Sequence, residues 1–256
     1  MTGALDLHIA GGIATLVLNN PARLNAFTPD MLRALEGHAA ALDVNPDVVC
    51  VIVTGTGDRA FCAGADIKAW APLAPAEFAR EWVRDGHRIF DRLARLSKPT
   101  IAALQAHAFG GGLELAACCD IRVMAPAATL ALPESQVGIV PGWSGTQRIS
   151  RLMPLPMLKE MALFGRRISA ERALSCGFVA EVADDPLAAA LEIAAKLLTT
   201  SPRATEVAKY MIHAAAGEDR DAMIEALGSG MIAASADKAE GVAAFTEKRK
   251  PVFPGK

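Results

Sequence analysis

Charge is scarce on balance in this chain of 256 residues: 26 basic side chains stand against 28 acidic ones, a formal net charge of -2. That leaves no basic surface of the kind that releases counterions from nucleic acid, so no nucleic-acid partner is expected. Cysteine is sparse and odd in number. Cys50, Cys62, Cys118, Cys119 and Cys176 contain no C-x-x-C pair, and neither they nor the five histidines fall at metal-ligand spacing. Small reduced thiols, no disulfide and no metal site are therefore expected. Long apolar runs are missing as well. The least charged window, Ile101 to Cys119, is broken by Gln105, His107, Glu114 and three glycines, which is poor material for a membrane span. The first residues lack a basic segment followed by an apolar run, so no signal peptide is expected and a cytoplasmic location follows by default. With 52% hydrophobic, 21% charged and only 5% aromatic residues, the composition is that of a globular protein with a substantial core.

Several nucleotide and hydrolase signatures are also absent. No G-x-x-x-x-G-K-[ST] occurs, and Gly110-Gly111-Gly112 leads to Leu113-Glu114, which excludes a P-loop on residue type. Gly55-Thr-Gly57-Asp-Arg-Ala60 follows a strand but opens no helix, and Pro72 and Pro75 interrupt where a dinucleotide site needs a second strand. Gly142-Trp-Ser144-Gly145 lacks the G-x-S-x-G spacing of a nucleophile elbow, so Ser144 reads as a turn residue.

What is present alternates between strand and helix. Ile13 to Leu18 reads as a strand, and Thr28-Pro29 supplies an N-cap and a first-turn proline for a helix to about Asp43. Val48 to Val53 is a continuous β-branched run, the pattern of a strand covered on both faces. Further strands are expected at Thr100 to Ala106, Ile121 to Ala125 and Phe178 to Val182. From Asp185 onward the pattern is helical only: Pro186 to Thr199, Pro202 to Ala216, Arg220 to Ala236 and Lys238 to Lys248. We expect an α/β fold, with a core over residues 1–185 and a helical region over 186–256. Val207, Met211, Met223, Leu227, Met231 and Phe245 recur there at helical spacing and need a surface, either this chain's own body or another subunit.

Two glutamates stand out. Glu114 is the only formally charged residue between Ile101 and Cys119, and Glu134 the only one between Arg122 and Arg148. Ionised carboxylates are costly to bury, so the pair points to acid/base chemistry, against a structural alternative in which each is tied to an Arg or caps a helix. The glycine run before Glu114 is a backbone device: a run entering a helix leaves N–H groups unpaired, with Gly111 the candidate donor to a developing negative charge. Phe61 to Lys68 is a second small-residue segment able to approach a ligand closely.

Together the residues resemble the enoyl-CoA hydratase/isomerase (crotonase) superfamily over nearly the full length. The matching segments are Asn20 to Ala26, Ala60 to Lys68, His107 to Ala116, Cys119-Asp120, Leu132 to Glu134, Gly138 to Gly142, Gly145 to Arg148 and Phe245 to Arg249. The resemblance implies a crotonase-like spiral of ββα units, with C-terminal helices that build a homotrimer or a dimer of trimers and cover the CoA site. It implies an acyl-CoA thioester substrate, with coenzyme A as part of the substrate rather than a cofactor. The carbonyl oxygen would be held by the N–H groups of Ala65 and Gly111. Glu114 would deprotonate water attacking the β-carbon, and Glu134 would supply the α-carbon proton, adding water syn across a 2-enoyl-CoA in fatty-acid or related catabolism. The alternative within the family is a Δ3,Δ2-enoyl-CoA isomerase that uses Glu134 alone, or another acyl-CoA reaction of the superfamily.

The same resemblance sets Ala63, Asp66, Ile67 and Lys68 along the CoA, with Arg23 and Gly142 nearby, and Lys248 and Arg249 towards a neighbouring subunit's CoA. Phe109, Trp70 and Trp143 would line the acyl pocket. Trp143-Ser144 departs from the small residues, commonly Ala-Gly, that are usual there, and two indoles at the pocket favour short or unusual acyl groups. A crotonase relative binds RNA through a lysine-rich first helix, but here that helix has Arg33 as its only basic residue beside Asp30, Glu36 and Asp43.

Overall fold

A computed structural model describes residues 3–256 of the chain. Among them ten strands form two sheets: β1 (Ala4–Ala10), β2 (Ile13–Asn19), β3 (Cys50–Gly55), β4 (Ala60–Cys62), β5 (Thr100–Leu104), β6 (His107–Phe109), β7 (Ile121–Met124), β8 (Thr129–Ala131), β9 (Ile168–Ser169) and β10 (Glu181–Val182). The larger sheet has the order β1-β2-β3-β5-β7-β10 and the smaller β4-β6-β8-β9. Only the β1–β2 hairpin and the β8–β9 pair are antiparallel. Each of the pairs β3–β4, β5–β6 and β7–β8 sends one strand to each sheet before the chain turns into helical structure, which makes the fold a spiral of ββα units.

The β-branched run of β3 is buried on both faces, as its sequence requires. Val51 and Val53 join the main core with Leu16, Leu18, Leu35 and Phe90. Ile52 and Cys50 face a second cluster with Ile101, Ala103 and Val123, closed by Ala190 and Ala194. Those alanines belong to the helix Pro186–Ala195, whose small side chains let it lie close against the sheet. Burying a Val or Ile side chain stabilises by about 1.5–3 kcal/mol, so this helix is integral to the sheet it covers. The helix Pro29–Val44 starts as expected, with Thr28 accepting a hydrogen bond from the Met31 N–H. The expected strand from Phe178 shrinks to Glu181–Val182; Phe178 and Val179 are buried in the turn before it.

The helix Gly111–Cys118 is the centre of the second ββα unit, and all eight of its residues are buried. A Cβ on Gly112 would lie 2.1 Å from the Cys62 carbonyl oxygen, so only glycine lets the helix seat against β4. At its other end, the buried Arg122 donates to the carbonyls of Ala116, Cys119 and Asp120 and lies over the Phe178 ring. The helix's last turn thus meets a cation where its own acceptors are unsatisfied.

The chain divides into two compact units, one ending at Pro202 and the other spanning Arg203–Lys256. The helix Pro186–Ala195 and the 3-10 turn Lys196–Thr199 fall within the first. In the second, Arg249 forms a two-pronged ion pair with Glu240 at 2.6 and 2.8 Å and a further one with Glu247, while Lys248 adopts a left-handed backbone at the end of the helix Ala236–Glu247. No helix among the described residues is long and apolar enough to cross a membrane.

Candidate active site

The two isolated glutamates come together at a cavity of about 310 Å³. It is walled by the segment around Ala65, by Gly110 and Gly111, by Pro133 and Glu134, and by an aromatic side of Trp70, Phe78, Trp82 and Trp143. A volume near 300 Å³ is at the small end of ligand sites.

Glu114 projects from the first turn of the helix Gly111–Cys118 and is 3% exposed. Its Oε1 accepts two backbone hydrogen bonds, from the N–H of Trp143 at 2.8 Å and of Gly145 at 2.7 Å. Burial, and to a lesser degree the nearby Glu134, push its pKa up to about 7, and the two N–H groups pull the other way. Glu134 opens the short 3-10 turn Glu134–Val137 and is 8% exposed; its Oε2 is buried without a hydrogen-bond partner among the described residues. Burial pushes its pKa up to about 7 as well. Their surroundings nonetheless differ. Glu114 Oε1 is held by two backbone donors that favour the carboxylate, whereas Glu134 Oε2 has none, and two neighbouring carboxyls with midpoints near 7 titrate as a coupled pair.

Two backbone donors face the same space. Gly64 adopts φ +108, and Ala65 follows it in a parallel bridge with Phe27: the Phe27 N–H donates to Gly64 O, and the Asp66 N–H to Phe27 O. That bridge uses the neighbours and leaves the Ala65 N–H free. Gly111 is the first residue of its helix, where an N–H has no intrahelical acceptor. Among the described residues neither N–H donates to a protein acceptor. The two segments touch, since a Cβ on Gly64 would stand 3.3 Å from the Gly111 nitrogen.

Of the other residues expected at the site, Ala63, Ile67, Trp70, Gly142 and Trp143 line the cavity. Phe109 does not: residues i and i+2 of a strand share a face, and its ring stacks on His107 at 5.3 Å, with the Arg167 guanidinium 4.8 Å above it. Arg23 is paired with Asp66, which also caps the turn Ile67–Trp70 through the Lys68 N–H, and Lys68 is exposed. Arg23, Asp66 and Lys68 thus lie beside the cavity wall rather than in it. Sequence reasoning did not find Trp82 or Phe78, which sit in a π-helical segment, Phe78–Arg84. The Trp82 carbonyl accepts from Trp143 Nε1 at 3.0 Å, and Trp143 packs on Phe27 and Phe90 of the core. Such π segments are frequent at functional sites, but nothing in a single sequence announces one.

Cys62 lies under this site with its thiol buried and pushed up to about 12, which makes it an inert packing group rather than a nucleophile.

A spiral of ββα units brings two buried carboxylates and two backbone N–H groups without protein acceptors to one cavity, an arrangement suited to acid/base chemistry. Comparison with known proteins supplies the family. The family model described as enoyl-CoA hydratase/isomerase matches residues 8–256. A crotonyl-CoA hydratase from Syntrophomonas wolfei is 38% identical, covering 95% of each chain, and a short-chain-enoyl-CoA hydratase from Clostridium acetobutylicum is 35% identical with the same coverage. The solved enoyl-CoA hydratase from Bacillus anthracis superposes with a TM-score of 0.80 at 32% identity over 100% of both chains. The chain belongs to the enoyl-CoA hydratase/isomerase family and has the crotonase fold.

Proposed function

We propose that the protein is a 2-enoyl-CoA hydratase acting on short acyl groups. The observation that carries this reading is the pair of buried carboxylates in one cavity, Glu114 Oε1 with two backbone donors and Glu134 Oε2 with none. The thioester oxygen accepts from the Ala65 and Gly111 N–H groups, which draws electron density from the β-carbon. Glu114, as the carboxylate, takes a proton from water while the water oxygen bonds to the β-carbon. The electron pair of the double bond moves to the α-carbon, which takes its proton from Glu134, leaving a 3-hydroxyacyl thioester. Exchange with solvent resets the two carboxyls, whose midpoints near 7 make both transfers feasible at neutral pH.

A short acyl group suits the cavity's inner wall. Trp143 is 3% exposed, fixed through Nε1 and backed by Phe27 and Phe90, so the tail stops at its ring. The names of the Syntrophomonas and Clostridium relatives favour the same substrate range. For assembly, the second unit exposes Met211, Met231 and Phe245, the last at 88%, and a homotrimer or dimer of trimers would bury them.

The test is turnover of crotonyl-CoA, followed as loss of enoyl absorbance, by the native protein, Glu114→Gln and Glu134→Gln. Hydration by the native protein and a loss of ~10²- to 10⁴-fold in both variants is the expected result. Full hydration by Glu114→Gln would overturn the two-carboxylate mechanism, and a native protein that does not hydrate but isomerises a 3-enoyl-CoA at a rate Glu114→Gln retains would be an isomerase relying on Glu134.

A further inference from the structure

The segment Trp143–Arg148 carries both N–H groups that hold Glu114, and one continuous helical stretch grips that segment at three points. Trp143 Nε1 donates to the Trp82 carbonyl at 3.0 Å; Ser144 Oγ meets His87 Nδ1 at 3.2 Å; Arg148 Nη2 donates to Asp91 Oδ1 at 2.6 Å. Trp82 lies in the π-helical segment, and His87 and Asp91 lie in the helix Asp85–Ala94 that continues from it. The middle grip is unlike the other two, because it acts on a residue in an unfavourable conformation. Ser144 has φ +87, in the left-handed region that L side chains avoid, and it sits between the two donors to Glu114.

We propose that Ser144 and His87 are positioning residues for the acid/base pair: their hydrogen bond holds the strained turn that aims the Trp143 and Gly145 N–H groups at Glu114. This rests on the hydratase reading only for its kinetic consequence. His87 Nε2 faces Asp91 Oδ2 at 3.6 Å, and a carboxylate there favours the proton on Nε2. Nδ1 then accepts a hydrogen bond from the Ser144 hydroxyl. Asp91 is itself held by Arg148, with Arg95 at 3.5 Å, so the imidazole stands on a fixed carboxylate. The serine, histidine and aspartate have the composition of a hydrolytic triad, but Ser144 is 3% exposed and lies outside the cavity lining, so its hydroxyl meets no substrate carbonyl. Its role is exerted through the backbone on either side.

Ser144→Ala and His87→Ala test this by two routes. In crotonyl-CoA hydration, kcat is expected to fall about tenfold or more with KM within about twofold, because the substrate's own contacts are untouched. The acid limb of the kcat profile should move to higher pH, since slackened donors favour the carboxylate less. The second route needs no substrate: titration of the Glu114 side-chain carboxyl by carbon-13 NMR, assigned with Glu114→Gln. Its midpoint should rise by about half a unit or more in both variants. An unchanged midpoint in folded Ser144→Ala and His87→Ala would overturn the proposal whether or not the native protein hydrates crotonyl-CoA. An absence of hydration together with a raised midpoint would count against the hydratase reading and leave the positioning role standing.

Discussion

Gly145→Ala is the smallest change that separates the backbone hold on the Glu114 carboxylate from the rest of the fold. The Gly145 N–H donates to Glu114 Oε1 at 2.7 Å, and a Cβ at residue 145 would stand 2.7 Å from that same oxygen and 2.7 Å from Pro141 Cβ. Carbons in comfortable contact sit about 3.5–4.0 Å apart, so the turn must retreat from both neighbours. Retreat breaks a hydrogen bond to a charged group, worth about 1.5–3 kcal/mol. At about 1.4 kcal/mol per tenfold, kcat should fall roughly tenfold to a hundredfold. The pKa follows with a definite sign. The bond favours the ionised form, so its loss raises Glu114 further above 7, and the base is unprotonated only at higher pH. The acid limb of the kcat profile therefore moves up, and part of the lost rate returns as pH rises. The assay is crotonyl-CoA hydration across pH, beside a thermal melt showing that the fold persists. A folded Gly145→Ala protein with native kcat and an unmoved acid limb would refute the assignment of Glu114 as the base.

Two further outcomes follow from the same geometry. Both carboxyls have folded pKa values near 7, above the ordinary value of 4.5, so the folded state binds their protons more tightly than the unfolded chain does. Their contribution to stability is fully present below about 4.5 and is lost as pH climbs through about 7, by at most about 3 kcal/mol for each group. Denaturant melts should show that decline, and Glu114→Gln and Glu134→Gln should each flatten it; a native profile flat over that range would contradict the burial argument. At Gly86, a Cβ would lie 2.1 Å from Trp143 Nε1. Gly86→Ala should cost about 1–3 kcal/mol in the native background and become neutral or stabilising beside Trp143→Ala, where the helix gains from alanine. Equal costs in both backgrounds would show that the indole is not what excludes the side chain.

The parts legible in the sequence were those whose signal is local. The strands β2, β3, β5 and β7 are runs of apolar residues long enough to show themselves, and the two glutamates declare their burial by standing alone in uncharged stretches. The small sheet was not legible, because β4, β6, β8 and β9 have only two or three residues each, too few for any period to register. β1 was overlooked for another reason: it is an edge strand whose outer residues are exposed, which blurs its alternation. Phe109 was set in the acyl pocket by the family resemblance, but the pleat of β6 turns it to the face of His107. The grip of His87 on Ser144 joins residues 57 apart, and a single sequence holds no trace of such a pairing.

The chemistry here is held in place mostly by atoms that every amino acid possesses. Main-chain N–H groups of Ala65 and Gly111 stand at the cavity without protein acceptors, main-chain N–H groups hold Glu114, and glycines let Glu134, the Cys62 carbonyl and the Trp143 ring pack directly against the chain. Such a frame survives wholesale replacement of its side chains and fails on the addition of single methyl groups. Exchange of a carboxylate or an indole for another group should therefore leave the frame standing, while a side chain added at Gly110, Gly111 or Gly112 should not be accommodated. The reaction is set by the groups that reach into the cavity, and the frame by the gaps between them.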